Sequence, residues 1–278
     1  MQVHRDIGDA AVDDNGKEIA EPLLAPRRSA RSSKNHSGLT AAAKETISAA
    51  GPGGPAVQTL PTYLTSHYWW AYVHPRGIRV FERQWLINLI LWGNYVRLSG
   101  AVLADLSDYS SGKILQVACA YGNLTNRLVD QFSAASGRVD VIDVVPAQIF
   151  NLQRKLEGDA STRLMVMDSS NLSLPDASYD CALVYFLLHE QPAGYREKTL
   201  SELCRVVRPG GRIVIADYHR PSWWNPLRYL WRPLLRRLEP FALELWQHDI
   251  SDWCPKGVAV RKAENFFGGL YQMVVIDR

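Results

Sequence analysis

Between residues 113 and 217 the chain alternates short apolar runs with segments whose apolar residues recur every three or four positions. Lys113–Ala118, Arg138–Asp143, Leu164–Met167, Tyr179–Leu188 and Arg212–Asp217 read as strands. Their apolar character predicts burial on both faces of a sheet. Asn123–Ala134 and Pro146–Leu156 read as helices between them, and Leu200, Leu203, Val206 and Val207 fall at helical spacing within Arg196–Val207. Pro209-Gly-Gly211 is the turn expected to lead into the fifth strand. Strands alternating with helices imply βαβ units and a mostly parallel sheet. Near the end, Val258–Phe267 and Leu270–Ile276 flank Gly268-Gly269, a hairpin signal.

The pattern divides the rest of the chain. Residues 1–60 are rich in Gly, Ser, Ala and Pro, lack aromatics and close on Gly51-Pro-Gly-Gly-Pro55, so they read as a disordered extension or linker. Residues 61–112 bring an aromatic stretch, His67 to His74, and one or two apolar helices across Val80–Leu106. All nine tryptophans lie at 69–92 or 223–253, outside the alternating core, so the substrate is expected on elements added around a plain nucleotide-binding sheet. The boundaries that follow are 113–217 for the core, 218–257 for substrate or membrane helices and 258–278 for the hairpin.

Composition removes several function classes. Thirty-one basic and 28 acidic residues nearly cancel, so no whole-protein field selects nucleic acid. Four cysteines lie far apart with no CxxC pair, which argues against a zinc knuckle or a disulfide framework. The longest strongly apolar run, Trp85–Trp92, has eight residues, whereas a membrane span needs about 20. Residues 21–50 have the basic, Ser/Ala-rich look of a mitochondrial transit peptide, but Asp6, Asp9, Asp13 and Asp14 precede them.

Strand one leads into Ile114-Leu-Gln-Val-Ala-Cys-Ala-Tyr-Gly122, the rhythm of an S-adenosylmethionine loop, usually an acid followed by G-x-G-x-G. Small residues let the backbone approach a cofactor while it turns into a helix. Here the acid is Gln116, two glycines are Ala118 and Ala120, and Gly122 remains. Alone this is also an ordinary strand–turn–helix. Asp143 ends strand two 21 residues beyond Gly122, where a carboxylate accepts hydrogen bonds from ribose hydroxyls. Asp168-Ser169 follows strand three, at the edge where an adenine would lie. Leu203-Cys-Arg-Val-Val-Arg-Pro-Gly-Gly-Arg-Ile-Val-Ile215 resembles a segment of class I methyltransferases, and residues 113–217 as a whole resemble that superfamily. The fold class expected is therefore α/β: a Rossmann-like, mostly parallel seven-stranded sheet with added N-terminal helices and a C-terminal β-hairpin.

Further segments resemble the rhodoquinone biosynthesis proteins. They are Tyr68-Trp-Trp-Ala-Tyr-Val-His-Pro75, Asn88-Leu-Ile-Leu-Trp-Gly-Asn-Tyr95, Val117-Ala-Cys-Ala-Tyr-Gly122, Phe186-Leu-Leu-His-Glu-Gln-Pro192, Asp217-Tyr-His-Arg-Pro221, Asn225-Pro-Leu-Arg-Tyr229 and Phe267-Gly-Gly-Leu-Tyr-Gln272. The resemblance covers residues 61–278. It implies conversion of ubiquinone to rhodoquinone, an amino group replacing a ring methoxy group, with S-adenosylmethionine as amino donor and a divalent metal, Mn²⁺, assisting.

Gln116 makes independent sense of this. A carboxylate beside an amine keeps it protonated and destroys its nucleophilicity, and the amide removes that charge. Drift to an isosteric residue would leave the same mark. His189, Glu190 and His219 lie just past strands four and five, where α/β sheets bind ligands, and are candidates for proton transfer or metal ligation. Asp217 joins the metal candidates, because carboxylate suits Mn²⁺ better than imidazole. Tyr121, in the cofactor loop, is a candidate for steering the reacting groups. Trp223–Leu238 holds four arginines and no acid, with Arg228, Arg232 and Arg236 in one stripe. It reads either as a helix on an anionic bilayer, placing the protein peripherally on the cytoplasmic face, or as a lid with solvated arginines. Two rival functions remain: an ordinary quinone methyltransferase, and a non-catalytic cofactor-binding partner in a quinone-synthesis complex.

Overall fold

A computed structural model of the protein describes residues 60–156 and 162–278. The reading of residues 1–59 as an extension, with or without a targeting role, lies outside them.

A seven-stranded sheet carries the fold. Its strands are β1 (Lys113–Val117), β2 (Arg138–Asp143), β3 (Thr162–Val166), β4 (Tyr179–Tyr185), β5 (Val207–Tyr218), β6 (Ala259–Phe266) and β7 (Tyr271–Asp277), in the order β3-β2-β1-β4-β5-β7-β6. β1 to β5 pair in parallel, and β7 runs antiparallel between β5 and β6. This is the expected Rossmann-like class I methyltransferase fold. Helices cover both faces, so Ile114, Leu115, Cys181–Val184 and Ile213–Ala216 are sealed from water. Truncating a leucine in such a core costs about 2–5 kcal/mol.

The chain reaches the sheet through a π-type helix α1 (Leu64–Val73), then α2 (Pro75–Phe81), α3 (Gln84–Ile90) and α4 (Tyr95–Leu106). The apolar stretch Val80–Leu106, read as one or two helices, holds two, α3 and α4, after the last residues of α2. Trp92 and Gly93 break it with φ of +51° and +77°, which a helix cannot continue through. α4 packs Leu98, Val102 and Leu106 into the core. The remaining helices are α5 (Leu124–Ala134), α6 (Pro146–Lys155), α7 (Ala193–Val206), α8 (Leu227–Leu238) and α9 (Ala242–Leu245). α8 continues through Pro233.

Two strand ends differ from the sequence reading. β5 starts at Val207, which pairs with Tyr179, and Arg208–Gly211 bulges out before Arg212 pairs with Cys181. The Pro-Gly-Gly segment is therefore a bulge inside the strand. β4 stops at Tyr185, because Phe186 has φ of +54° and Leu188–Glu190 form a 3-10 turn. That early stop points the β4 end into the cavity described next.

Candidate active site

Strand order reverses between β1 and β4, which opens a crevice at the carboxyl ends of the parallel strands. A cavity lies there, walled by the loop Val117–Tyr121, by Asp143 and Asp168, and by the β4 end from Tyr185 to Gln191. Ile87, Ile90 and Leu91 close it from the side of α3, and Glu239 from just beyond α8.

The loop is built as a cradle. Ala118 holds φ of +68°, the left-handed region, at a position where glycine is usual. An alanine there costs about 1–2 kcal/mol. Gly122 also lies at positive φ (+80°), and a Cβ on it would stand 2.7 Å from Tyr95 Oη and 2.8 Å from Gln84 Oε1. Those same atoms cap α5: the Asn123 N–H donates to Gln84 Oε1 (3.0 Å) and the Leu124 N–H to Tyr95 Oη (2.8 Å). The added helices α3 and α4 thereby hold the cofactor loop in place.

Asp143 sits at the mouth of this cradle. Its Oδ2 accepts the Cys119 N–H and its Oδ1 the Val145 N–H, each at 2.8 Å. Burial pushes its carboxyl up to about 6 against the pull of those two bonds. With the Cys119 thiol these donors still leave acceptor capacity on the carboxylate, so the residue fits a hydroxyl-bearing ligand such as a ribose. Asp168 Oδ1 accepts from the Ser170 N–H and hydroxyl, both at 2.8 Å. The Ser169 hydroxyl is tied to Thr199 (2.9 Å) and to Gln191 Nε2 (3.1 Å). Both line the cavity, as the sequence reading expected of an adenine edge.

Gln116 works from beneath. Fully buried and outside the cavity wall, it donates through Nε2 to Ala118 O and Thr125 Oγ1, both at 3.0 Å. Because Ala118 O can only accept, the amide orientation is fixed, and Gln116 Oε1 remains a buried acceptor with no donor. Sealed beneath the loop, Gln116 acts on a ligand in the cavity only through charge, which a carboxylate at this position would carry and the amide does not.

The other expected residues divide. His189 lines the cavity, its Nδ1 2.8 Å from Asp217 Oδ1, and its Nε2 lies 3.8 Å from Glu190 Oε1. Burial alone would lower its pKa, but the Asp217 charge and hydrogen bond, with Glu239 and Glu190, outweigh it and raise the imidazole to about 9. Its ring packs edge-on against Tyr218 at 4.8 Å and Phe186 at 6.0 Å. The Tyr121 hydroxyl is committed to Ala71 O (2.8 Å) and to Gln148 Nε2 (2.7 Å), so this residue ties α1 and α6 to the loop and presents only its ring to the cavity.

Two expectations are corrected. His219 does not face the cavity: its Nδ1 lies 2.9 Å from Gly269 O, in the hairpin corner. Asp217 takes four donors, from Leu188 N, His189 N, His189 Nδ1 and Tyr218 N, and so has no lone pair left for a metal. Among the described residues no group of three or more His, Cys, Asp or Glu side chains is arranged to hold a metal ion. The set His189, Glu190, Asp217 and His219 does not fit Mn²⁺.

Glu239 went unnoticed in the sequence. It sits past the end of a basic helix with no strand or loop motif beside it, yet its Oε2 is buried without a partner and it faces the cavity. Burial raises its pKa, partly offset by His189 and Tyr68.

Comparison with known proteins agrees with this geometry. Residues 114–211 match a family described as a methyltransferase domain. The ubiquinone/menaquinone biosynthesis C-methyltransferase of Pseudomonas paraeruginosa is 27% identical over 143 residues, 49% of this chain and 54% of that protein. The 2-methyl-6-phytyl-1,4-hydroquinone methyltransferase of Synechocystis sp. is 29% identical over 136 residues, 49% of this chain and 40% of its own length. The chain thus spans about half the length of the curated relatives it matches. Among solved structures, the PH0226 protein of Pyrococcus horikoshii superposes with a TM-score of 0.51 over 79% of this chain and 99% of its own, at 13% identity, a likeness of fold. Residues 114–211 are thus similar to methyltransferase domains, and the chain has the class I fold.

Proposed function

We propose that the protein is an S-adenosylmethionine-dependent transferase that acts on a lipid-soluble quinone and converts ubiquinone to rhodoquinone. The observation that carries the finer half is Gln116, a neutral amide whose Oε1 lacks a donor under the loop where an acid is usual. A carboxylate there would favour a nearby amine as ammonium; the amide adds no such charge. The coarser half rests on the methyltransferase domain and on relatives whose names specify quinone-related substrates.

The chemistry supplied by bound S-adenosylmethionine is a nitrogen nucleophile. Asp143 orients the donor through its ribose, and Asp168 and Ser169 border the adenine. Exchange of a ring methoxy group for the amine frees one proton from nitrogen and expels methanol from the ring; release of the amino group then breaks the donor's Cα–N bond, with the quinone ring as two-electron acceptor and water taking the carbon as a 2-oxo acid, which leaves the aminohydroquinone. His189 is the group placed to manage that proton. With a pKa of about 9 it is protonated at neutral pH and offers Nε2–H to a quinone carbonyl or to the departing methoxide. It then recovers the proton that nitrogen loses. Asp217 holds the ring in the required tautomer.

A second reading, C-methylation of a quinone precursor, is favoured by the names of the curated relatives. One experiment separates the two. The purified full chain is given ubiquinone and S-adenosylmethionine labelled with ¹⁵N at the amino group or ¹³C at the methyl, with and without Mn²⁺. An aminoquinone carrying ¹⁵N and lacking one methoxy group is expected. Product carrying ¹³C without ¹⁵N would establish methylation instead.

A further inference from the structure

α3 is an apolar helix that the protein does not bury. Its sequence is Gln84-Trp-Leu-Ile-Asn-Leu-Ile90, and not one of its residues is sealed from water. Trp85 is 62% exposed, Leu89 65%, and Trp92 just beyond the helix 44%. A soluble surface rarely keeps such residues side by side without an occupant. α8 repeats the pattern. It turns Trp231 and Leu235 inward and leaves Leu230, Leu234 and Leu238 exposed, after Trp223 (82%) and Trp224 (62%).

The two elements adjoin through Trp92. The Trp92 ring lies 6.3 Å from Trp231 of α8 and 6.4 Å from Phe267, stacked on the latter. Trp224 abuts Gly268 in the same hairpin turn. α3 also borders the active-site cavity from its other side, through Ile87, Ile90 and the following Leu91, and α8 ends at it, Glu239 one residue on lining the cavity. α3 is therefore apolar towards the outside and a wall of the cavity on the inside.

Charge selects the occupant. Residues 223–238 contain Arg228, Arg232, Arg236 and Arg237 and no acid. Tryptophans and arginines together around an exposed aliphatic stripe match the headgroup layer of an anionic bilayer, in which amphipathic rings and guanidinium groups both find partners. Among the described residues no single helix is long and apolar enough to cross a membrane. The surface suits lying on one.

We propose that α3 and α8 together form a docking surface for an anionic phospholipid bilayer, with α3 as the sill over which a hydrocarbon-tailed substrate passes from the membrane into the cavity. The surface stands on its own geometry; the passage of substrate rests on the proposed function. α3 adds a second membrane element to the basic helix, and one that reaches the active site directly.

The test is co-sedimentation of the full chain with phosphatidylcholine vesicles, with and without phosphatidylglycerol. Two paired variants are compared, Trp85→Ser/Leu89→Ser and Arg232→Gln/Arg236→Gln, whose side chains lie outside the cavity wall. The parent should bind the anionic vesicles, and each pair should weaken that binding. The arginine pair should lose about 25-fold, at about fivefold (~1 kcal/mol) per basic residue. Turnover of a short-chain quinone free in buffer should persist in both variants, while turnover of a long-chain quinone held in vesicles falls. Equal vesicle binding by parent and variants, with unchanged melting, would overturn the surface. So would a lipid-free dimer, seen by sedimentation velocity, that Trp85→Ser/Leu89→Ser dissociates, since the occupant would then be a second copy. Vesicle binding without turnover of either quinone supports the surface and overturns the proposed function.

Discussion

His189 Nδ1 stands 2.8 Å from Asp217 Oδ1, and the same carboxylate takes three backbone N–H groups. Asp217 is thus fixed behind an imidazole whose other nitrogen serves the cavity. The arrangement sets the pH range of the site. A histidine raised to about 9 stays charged through neutrality, and its favourable pairing is lost as pH climbs through that value. Turnover should fall on the alkaline side with an apparent pKa near 9. Asp217→Asn, which keeps an acceptor but removes the charge, should bring that limb down towards or below the ordinary histidine value of about 6.5. A profile of kcat against pH for parent and variant decides it; an unmoved limb would assign the titration to another group.

Asp143 titrates from the other direction. Its carboxyl, pushed up by burial to about 6, gains a proton as pH drops through that value, and a ribose then loses a charged acceptor. Hydrogen bonds to charged groups are worth about 1.5–3 kcal/mol. S-adenosylmethionine should therefore bind about six- to tenfold more weakly at pH 5, where about nine tenths of the carboxyl is protonated, than at pH 8, by calorimetry. Asp143→Ala should bind that weakly at both pH values. It should also melt earlier, because the Cys119 and Val145 N–H groups lose their acceptor.

How far these residues were legible in the sequence depends on how local their signals are. Asp143 was found because strand-end position and distance from Gly122 are properties of one βαβ unit. The mostly parallel sheet was legible for the same reason, as strands alternating with helices imply βαβ units. His219 was misplaced because a strand end specifies a residue's edge but not its partner. The hairpin at Gly268-Gly269 supplies a carbonyl that draws the ring away, and that contact spans 50 residues. Glu239 was invisible for a related reason: its meeting with His189 is tertiary, and its own neighbourhood reads only as the end of a basic helix. The positive φ of Ala118 left no trace, since an alanine written where glycine is usual looks like the absence of strain.

Glu239 keeps a buried carboxylate oxygen without a donor, which burdens the fold by about 1–3 kcal/mol. Glu239→Gln removes the charge at nearly constant shape. Melting should rise by about 2–4 °C per kcal/mol recovered in a domain of this size. The same change withdraws one of the charges that raise His189, so the alkaline limb of activity should move down while kcat falls. A variant that is both more stable and equally active, with the limb unmoved, would remove Glu239 from the site.

Gln116→Glu tests the feature that separates this loop from its usual form. In the parent, Nε2 donates to Ala118 O and Thr125 Oγ1 at 3.0 Å each. A glutamate loses both donors and sets a carboxylate against a carbonyl oxygen in a site sealed from water. Breaking a buried polar network in this way costs about 1–3 kcal/mol. The variant should therefore melt lower at pH 8. A protonated glutamate regains one donor, so the deficit should shrink as pH falls towards the pKa of the new carboxyl, which burial raises above about 4.3. In catalysis the new charge holds the amine of the donor as ammonium. Incorporation of ¹⁵N should slow by tenfold or more even where calorimetry shows that S-adenosylmethionine still binds, and Gln116→Met, neutral but without donors, should melt early yet leave the amine unprotonated. If Glu and Met at 116 slow nitrogen transfer equally in proportion to their lost stability, residue 116 only supports the loop, and the amide has no part in choosing nitrogen over carbon.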